Sequence, residues 1–161
     1  MNRRLFLKSV LAATAGLALT REEMAWAMET IEKVVKRDEE WRKILTPDQF
    51  RILREEGTER AYTSVLEKEK RKGTYHCAGC DWDLFTSEMK YDSGTGWPSF
   101  HDAIPNRLET KTDWKLIYPR TEYHCARCGG HQGHVFSGGP PPTGLRYCNN
   151  GLALTFKPSK E

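Results

Sequence analysis

The chain has 161 residues, of which 38% are hydrophobic, 29% charged and 11% aromatic. That supports one domain with its own core and argues against a disordered or membrane-embedded chain. The formal net charge of +3 is accounted for by Arg3, Arg4 and Lys8, and no basic stripe interleaved with aromatics follows, so a nucleic-acid partner is not expected.

The first element is an address. Asn2-Arg3-Arg4-Leu5-Phe6-Leu7-Lys8 resembles a twin-arginine export motif, and Ser9 to Leu19 is a short, Ala-rich, weakly apolar stretch, well under the ~20 residues a bilayer span needs. Ala25-Trp26-Ala27 puts small residues where a signal peptidase reads. Residues 1–27 are therefore expected to be a cleaved signal and the mature protein periplasmic, without a stable membrane anchor. The competing reading is an N-terminal amphipathic helix or an uncleaved anchor. A route that exports folded proteins suits a chain whose cysteines hold metal, because an oxidising compartment would otherwise make disulfides of them.

Residues 28–72 read as the N-terminal helical segment of a single catalytic domain. Thr30 to Arg42, with Ile31, Val34, Val35 and Trp41 at rough helical spacing, is expected to be partly helical. Thr46-Pro47-Asp48-Gln49 is a stronger start signal: a capping Thr, Pro at the first helical position, an acid in the first turn and Gln three residues after Thr. That helix should end at Gly57 and bury Phe50, Leu53 and Ile52. From Gly73 to the end, short runs broken by Gly, Pro, Asn and Asp predict the β-rich, metal-binding part of the same domain. Trp114, Leu116 and Tyr118, and again Leu152, Leu154 and Phe156, alternate as half-buried strands do.

Cys77-Ala-Gly-Cys80 and Cys125-Ala-Arg-Cys128 have the bite of thiolate ligands to a tetrahedral ion. Two matched knuckles explain each other as one closed, structural Zn2+ site. A redox Cys-x-x-Cys pair would leave the second unexplained, although it and a pair of disulfides stay open. The fifth cysteine, Cys148, has no such partner and lies in Gly144-Leu145-Arg146-Tyr147-Cys148-Asn149-Asn150, beside a cation and two amides. His131-Gln132-Gly133-His134 forms a second polar cluster, whose two imidazoles share a strand face only if the chain bends or bulges near Gly133. Cysteine with nearby His and Arg is the composition of a stabilised thiolate with a proton donor. In Asp92-Ser93-Gly94-Thr95-Gly96-Trp97-Pro98-Ser99-Phe100, a Gly-rich turn carries aromatics that are either core or a pocket wall.

Together with Tyr75 to Cys80, Phe85, Arg120-Thr121-Glu122, Thr143 to Asn150 and the upstream Trp41 to Pro47 and Gly57-Thr58-Glu59, these motifs resemble the methionine-R-sulfoxide reductases over nearly everything after the signal. The resemblance implies a mainly β fold, two antiparallel sheets in a partly closed barrel-like arrangement with N-terminal helices and a structural zinc. It implies reduction of the R epimer of methionine sulfoxide, peptide-bound or free, in oxidised proteins or peptides. Cys148 would be the nucleophile, His131 and His134 would bind and protonate the oxygen, Asn150 and Arg146 would order the site and favour the thiolate, and Trp97 would receive the substrate methyl. Two positions depart from the commoner pattern. Thr95 stands where many relatives have a resolving cysteine, so an external thiol is expected to regenerate Cys148, and Gly138 stands where an acid often follows His-Val-Phe. The alternatives are a non-enzymatic zinc-ribbon binding module, which leaves the His131, His134 and Cys148 grouping unexplained, and a periplasmic disulfide exchanger without zinc.

Overall fold

The computed structural model describes residues 30–160; the twin-arginine-like segment and its cleavage position lie outside them. Helix comes first and is brief: α1 spans Asp38–Ile44 and α2 spans Pro47–Glu55. Thr46 Oγ1 accepts from the Gln49 N–H at 3.2 Å, and Gln49 Oε1 accepts from the Thr46 N–H at 3.1 Å. This reciprocal box, with Pro47 pre-set for the first turn, decides where α2 begins. The helix gives out on Glu56, left-handed at φ 53°, one residue ahead of Gly57. Phe50, Ile52 and Leu53 are buried beside Trp41 of α1. The remainder of 30–72 is extended or turn rather than helix, and Val35 is almost fully exposed. The apolar residues of Thr30 to Arg42 recur too irregularly to give a helix one face to bury.

Among the described residues nine strands follow: β1 (Gly73–Cys77), β2 (Asp83–Thr86), β3 (Lys90–Tyr91), β4 (Ser99–Phe100), β5 (Leu108–Asp113), β6 (Arg120–Cys125), β7 (His131–Ser137), β8 (Leu145–Asn149) and β9 (Leu154–Pro158). They make two antiparallel sheets, β2-β1-β9 and β3-β4-β8-β7-β6-β5. Among the described residues the larger sheet is open, with β3 and β5 as its edges, so the expected partly closed barrel is corrected to two separate sheets. β3 has only two residues, and β5 turns Glu109, Thr110, Lys111 and Thr112 to solvent, an edge poorly suited to further pairing.

A second correction concerns Trp114, Leu116 and Tyr118. They form no strand but an exposed loop between β5 and β6. Asp113 Oδ1 accepts from the Lys115 N–H at 2.8 Å, and this side-chain turn ends β5 before the alternation can be used. Leu152 likewise precedes its strand, in a 3₁₀ turn at Gly151–Ala153, while Leu154 and Phe156 lie in β9.

The core fills the space between the sheets. Phe85 of the small sheet stacks on Phe100 of the large one with centroids 4.1 Å apart, and Tyr75 meets Phe100 edge-on at 5.0 Å. All three are fully buried, each contributing about 1.5–3 kcal/mol by leaving water. Cross-strand partners share a face, so register divides the large sheet. Tyr123, Val135, Tyr147 and Phe100 pack toward the core, whereas Glu122, His134, Arg146 and Cys148 project from the opposite face.

Candidate active site and metal centre

The cysteines separate as their spacing implied. Cys77 ends β1, Cys125 ends β6, and the tight turns after them return Cys80 and Cys128 to the same point. The four Sγ atoms lie within 4.8 Å of one another, with Cys77–Cys128 and Cys80–Cys125 both at 3.6 Å. A tetrahedron with metal–sulfur bonds of about 2.3 Å has edges of about 3.8 Å, so these residues fit a metal ion. Sulfurs at such separations are not disulfide-bonded, and all four cysteines are free. The four are positioned to hold one ion and to tie β1 to β6.

Cys148 lies apart, on β8. Its register partners are His134 of β7 on one side and Ser99 of β4 on the other. The close approach of β7 depends on Gly133: a Cβ there would stand 2.0 Å from the Cys148 carbonyl oxygen. The two histidines reach one face through a bulge. Tyr123 pairs with Gly133 while His124 pairs with His131, leaving Gln132 as the extra residue, one position before the bend expected at Gly133. The imidazoles of His131 and His134 meet edge-to-face with centroids 5.5 Å apart.

Each ring is held by a carboxylate. His134 Nε2 is 2.7 Å from Asp113 Oδ2, which also takes Arg120 Nη2 at 2.6 Å; His131 Nδ1 is 2.7 Å from Glu122 Oε1. Desolvation pushes the Asp113 and Glu122 acids up, but their partners outweigh it: hydrogen bonds from Lys115 N–H, His134 and Arg120 at Asp113, and at Glu122 the imidazole of His124, 3.6 Å from Oε2, with the hydrogen bond from His131. Both stay well below the usual carboxylate range. An ionised carboxylate only accepts, so His134 donates through Nε2 and His131 through Nδ1. Burial pulls the His134 pKa down, and Arg120 and His131 add to this against the opposing Asp113 bond.

A pocket of about 270 Å³ opens above this face. Cys148, His134, Arg146, Asn150 and Trp97 all line it, with Arg120, Phe136 and Thr95. His131 does not; it is 2% exposed and sits behind His134. Arg146 stacks over Phe136 at 4.6 Å. Burial raises the Cys148 pKa, while Arg146 and Thr95 oppose the rise without cancelling it. Trp97 Nε1 donates to the Glu59 carbonyl at 2.9 Å, and Asn150 Oδ1 accepts from the Glu59 N–H at 2.8 Å.

Sequence reading assigned no role to Glu59, Asp113, Arg120 or Glu122. Glu59 is buried, and its carboxylate accepts from Gly151 N–H at 2.5 Å, tying the α2–β1 connection to the turn after β8. Asp113 supplies a carboxylate to the histidine pair although position 138 is glycine. Only Glu59 and the Arg120–Glu122 stretch carried any signal, as parts of the motifs on which the resemblance rests.

The SelR domain model matches residues 45–158. The peptide methionine sulfoxide reductase MsrB of Methanosarcina barkeri is 50% identical over 129 residues, covering 80% of this chain and 91% of its own. The enzymes of the same name from Leptospira interrogans and Pseudomonas putida are each 52% identical, over 126 and 131 residues, covering 78% and 80% of this chain and 96% and 97% of theirs. Among solved structures, the Mis18 Yippee-like domain aligns at 17% identity with a TM-score of 0.44, over 56% of this chain and 100% of that one. The chain belongs to the SelR domain family, whose relatives named here are MsrB enzymes.

Proposed function

We propose that the protein reduces the R epimer of methionine sulfoxide, peptide-bound or free, with Cys148 as nucleophile. The observation that carries this is the separation of the cysteines: four converge on a metal centre, and the fifth lines a pocket beside His134, Arg146 and Trp97. Trp97 offers an apolar wall for the substrate methyl, and its Nε1 is already engaged by Glu59. The Cys148 sulfur attacks the sulfoxide sulfur, the S–O bond is cleaved and the oxygen passes to Cys148. Protonating that oxygen makes it a better acceptor, and His134, the pocket-lining imidazole, delivers the proton while Asp113 steadies the ring. His131 acts from behind His134, and Arg146 and Asn150 order the pocket. Methionine leaves and Cys148 is left as a sulfenic acid. Two equivalents of an external thiol then restore the thiol, releasing water and a disulfide, because position 95 offers no sulfur.

The metal ion is zinc, which a closed set of four thiolates suits, and it staples the two sheets without touching substrate. Export through the twin-arginine route would place the enzyme in the periplasm, where oxidised proteins are its substrates. No helix among the described residues is long and apolar enough to cross a membrane.

Turnover of separated R and S epimers by wild type and Cys148→Ser, with zinc measured on both, tests the assignment. R-selective activity lost with zinc retained supports it; activity surviving in Cys148→Ser ends it. After one equivalent of sulfoxide, Cys148 should carry a sulfenic acid or a mixed disulfide. An intramolecular disulfide at Cys148 would refute the external-thiol route.

A further inference from the structure

Beside Cys148 stand three hydroxyls to which the chemistry above gives no task. Thr95 lines the same pocket as the thiol and its side chain interacts with it. Ser93 Oγ lies 2.8 Å from Thr95 Oγ1 and 2.7 Å from Ser99 Oγ, and Ser99 Oγ donates to the Trp97 carbonyl at 3.1 Å. Ser99 is fully buried and is the register partner of Cys148 across β4 and β8. Left-handed Gly94 and Gly96, at φ 70° and 84°, fold the turn that brings Ser93 and Thr95 onto Ser99.

A hydroxyl has one proton and donates once, so the chain has two consistent directions. While Cys148 is a thiol, Ser99 donates to Trp97 O, Ser93 to Ser99 and Thr95 to Ser93, leaving a Thr95 lone pair toward the S–H. Once Cys148 is a thiolate, Thr95 can donate to the sulfur, Ser93 to Thr95 and Ser99 to Ser93. The second direction gives up one neutral bond at Trp97 O and gains a charge-assisted one at sulfur, which is roughly twice as strong. The chain is half-buried, with Ser99 wholly so, which strengthens that preference and lets its bonds polarise one another.

We propose that Thr95, Ser93 and Ser99 form a reversible donor chain that points away from Cys148 in its thiol form and swings to donate to its thiolate form. Thr95 is thereby a positioning residue for the nucleophile. This deepens the reading of Cys148 given above and rests on it. The charged and titratable groups facing the sulfur are Arg146 on its own strand, His134 on β7, Arg120 across the pocket and the phenol of Tyr91, while Tyr123, on the core face of the sheet, is coupled to it only through its charge. All of them are retained in the variants that follow.

The test is the pH dependence of alkylation of Cys148 by iodoacetamide, read by mass spectrometry on the peptide containing that residue, in zinc-loaded protein. The compared variants are those whose far-UV dichroism and zinc content match wild type. Thr95→Val, nearly isosteric, should raise the midpoint by about one pH unit, slowing alkylation about tenfold below it. Thr95→Ser should stay near wild type. Ser93→Ala should shift the midpoint the same way by less, and the Thr95→Val, Ser93→Ala double variant no further than Thr95→Val alone. A wild-type midpoint in Thr95→Val overturns the proposal, as does an unmoved midpoint in Ser93→Ala. Sulfoxide turnover is not read, so a failed reductase assignment and a failed donor chain give different results.

Discussion

Gly133→Ala isolates the contact that holds the pocket together. The new Cβ would sit 2.0 Å from the Cys148 carbonyl oxygen and 3.0 Å from its carbon, whereas contacts under 3.0 Å are essentially never tolerated. The obstacle is backbone on both sides, so β7 and β8 must part by about 1 Å. Lengthening the neighbouring ladder bonds costs about 1 kcal/mol each, and overpacking typically adds 1–3 kcal/mol. With two such bonds the loss is about 3–5 kcal/mol, which a stability near the middle of the usual range, about 10 kcal/mol, survives, so the variant should still fold. The same parting separates Cys148 from His134, its register partner, and about 1 Å of misplacement costs on the order of 100-fold in rate. Urea denaturation and kcat/KM on a peptide R-sulfoxide measure the two effects. Gly138→Ala is the control: φ is 87° and the added Cβ meets nothing within 4 Å, so only a torsional cost of about 1–2 kcal/mol is expected, with near-normal activity. The reasoning fails if Gly133→Ala keeps activity within threefold of wild type or loses no more stability than Gly138→Ala.

Removing metal with a chelator under reducing conditions should lower the melting temperature by more than 10 °C, since binding to such sites is worth on the order of 10 kcal/mol and the four sulfurs join two sheets. An unchanged melt in protein shown to be metal-free would contradict a structural role. Acid should destabilise through three groups of the same sign. Asp113 and Glu122 sit below their unfolded values, so their contribution is complete above about pH 4 and is lost as pH falls through the folded values; His134, also lowered, begins to lose its share below about pH 6.5. His124, raised by its pairing with Glu122, offsets the His134 share near pH 6.5, so melting temperature should fall chiefly between about pH 5 and 3, and less steeply below pH 4 in Glu122→Gln; a flat profile from pH 5 to 3 would count against these assignments.

What could be read from the chain was local. Thr46 and Gln49 sit three residues apart and cap α2 as their types demand, and each cysteine knuckle is a four-residue unit with ligand spacing built in. What escaped depends on register. Asp113 reaches His134 across the intervening β6, and Glu59 meets Gly151 at a separation of 92 residues. No periodicity encodes such pairs, because a one-residue slip in pairing would turn either side chain to the other face. The misread strand at Trp114 to Tyr118 has the same origin: alternation records which residues could share a face, not whether a neighbouring strand supplies one. The bulge at Gln132 was foreseen only as a requirement of the two histidines, and pairing with β6 decided its position.

The shifts at Cys148 and His134 constrain how the pocket works. Burial raises the thiol and lowers the imidazole, so both changes disfavour a resting thiolate–imidazolium pair. A neutral thiol beside a neutral ring is harder to oxidise or alkylate adventitiously, because the thiolate is the reactive form. The charged state becomes accessible through groups that respond to ionisation: Asp113, already ionised and bound to His134 Nε2, stabilises the imidazolium, while Arg146 and Thr95 stabilise the sulfur. On the proposed mechanism, the carboxylate on β5 and the hydroxyl at 95 would act on opposite ends of one proton transfer. In a chain with glycine at 138 and no sulfur at 95, those two residues would on that proposal set the balance between a protected thiol and a reactive one.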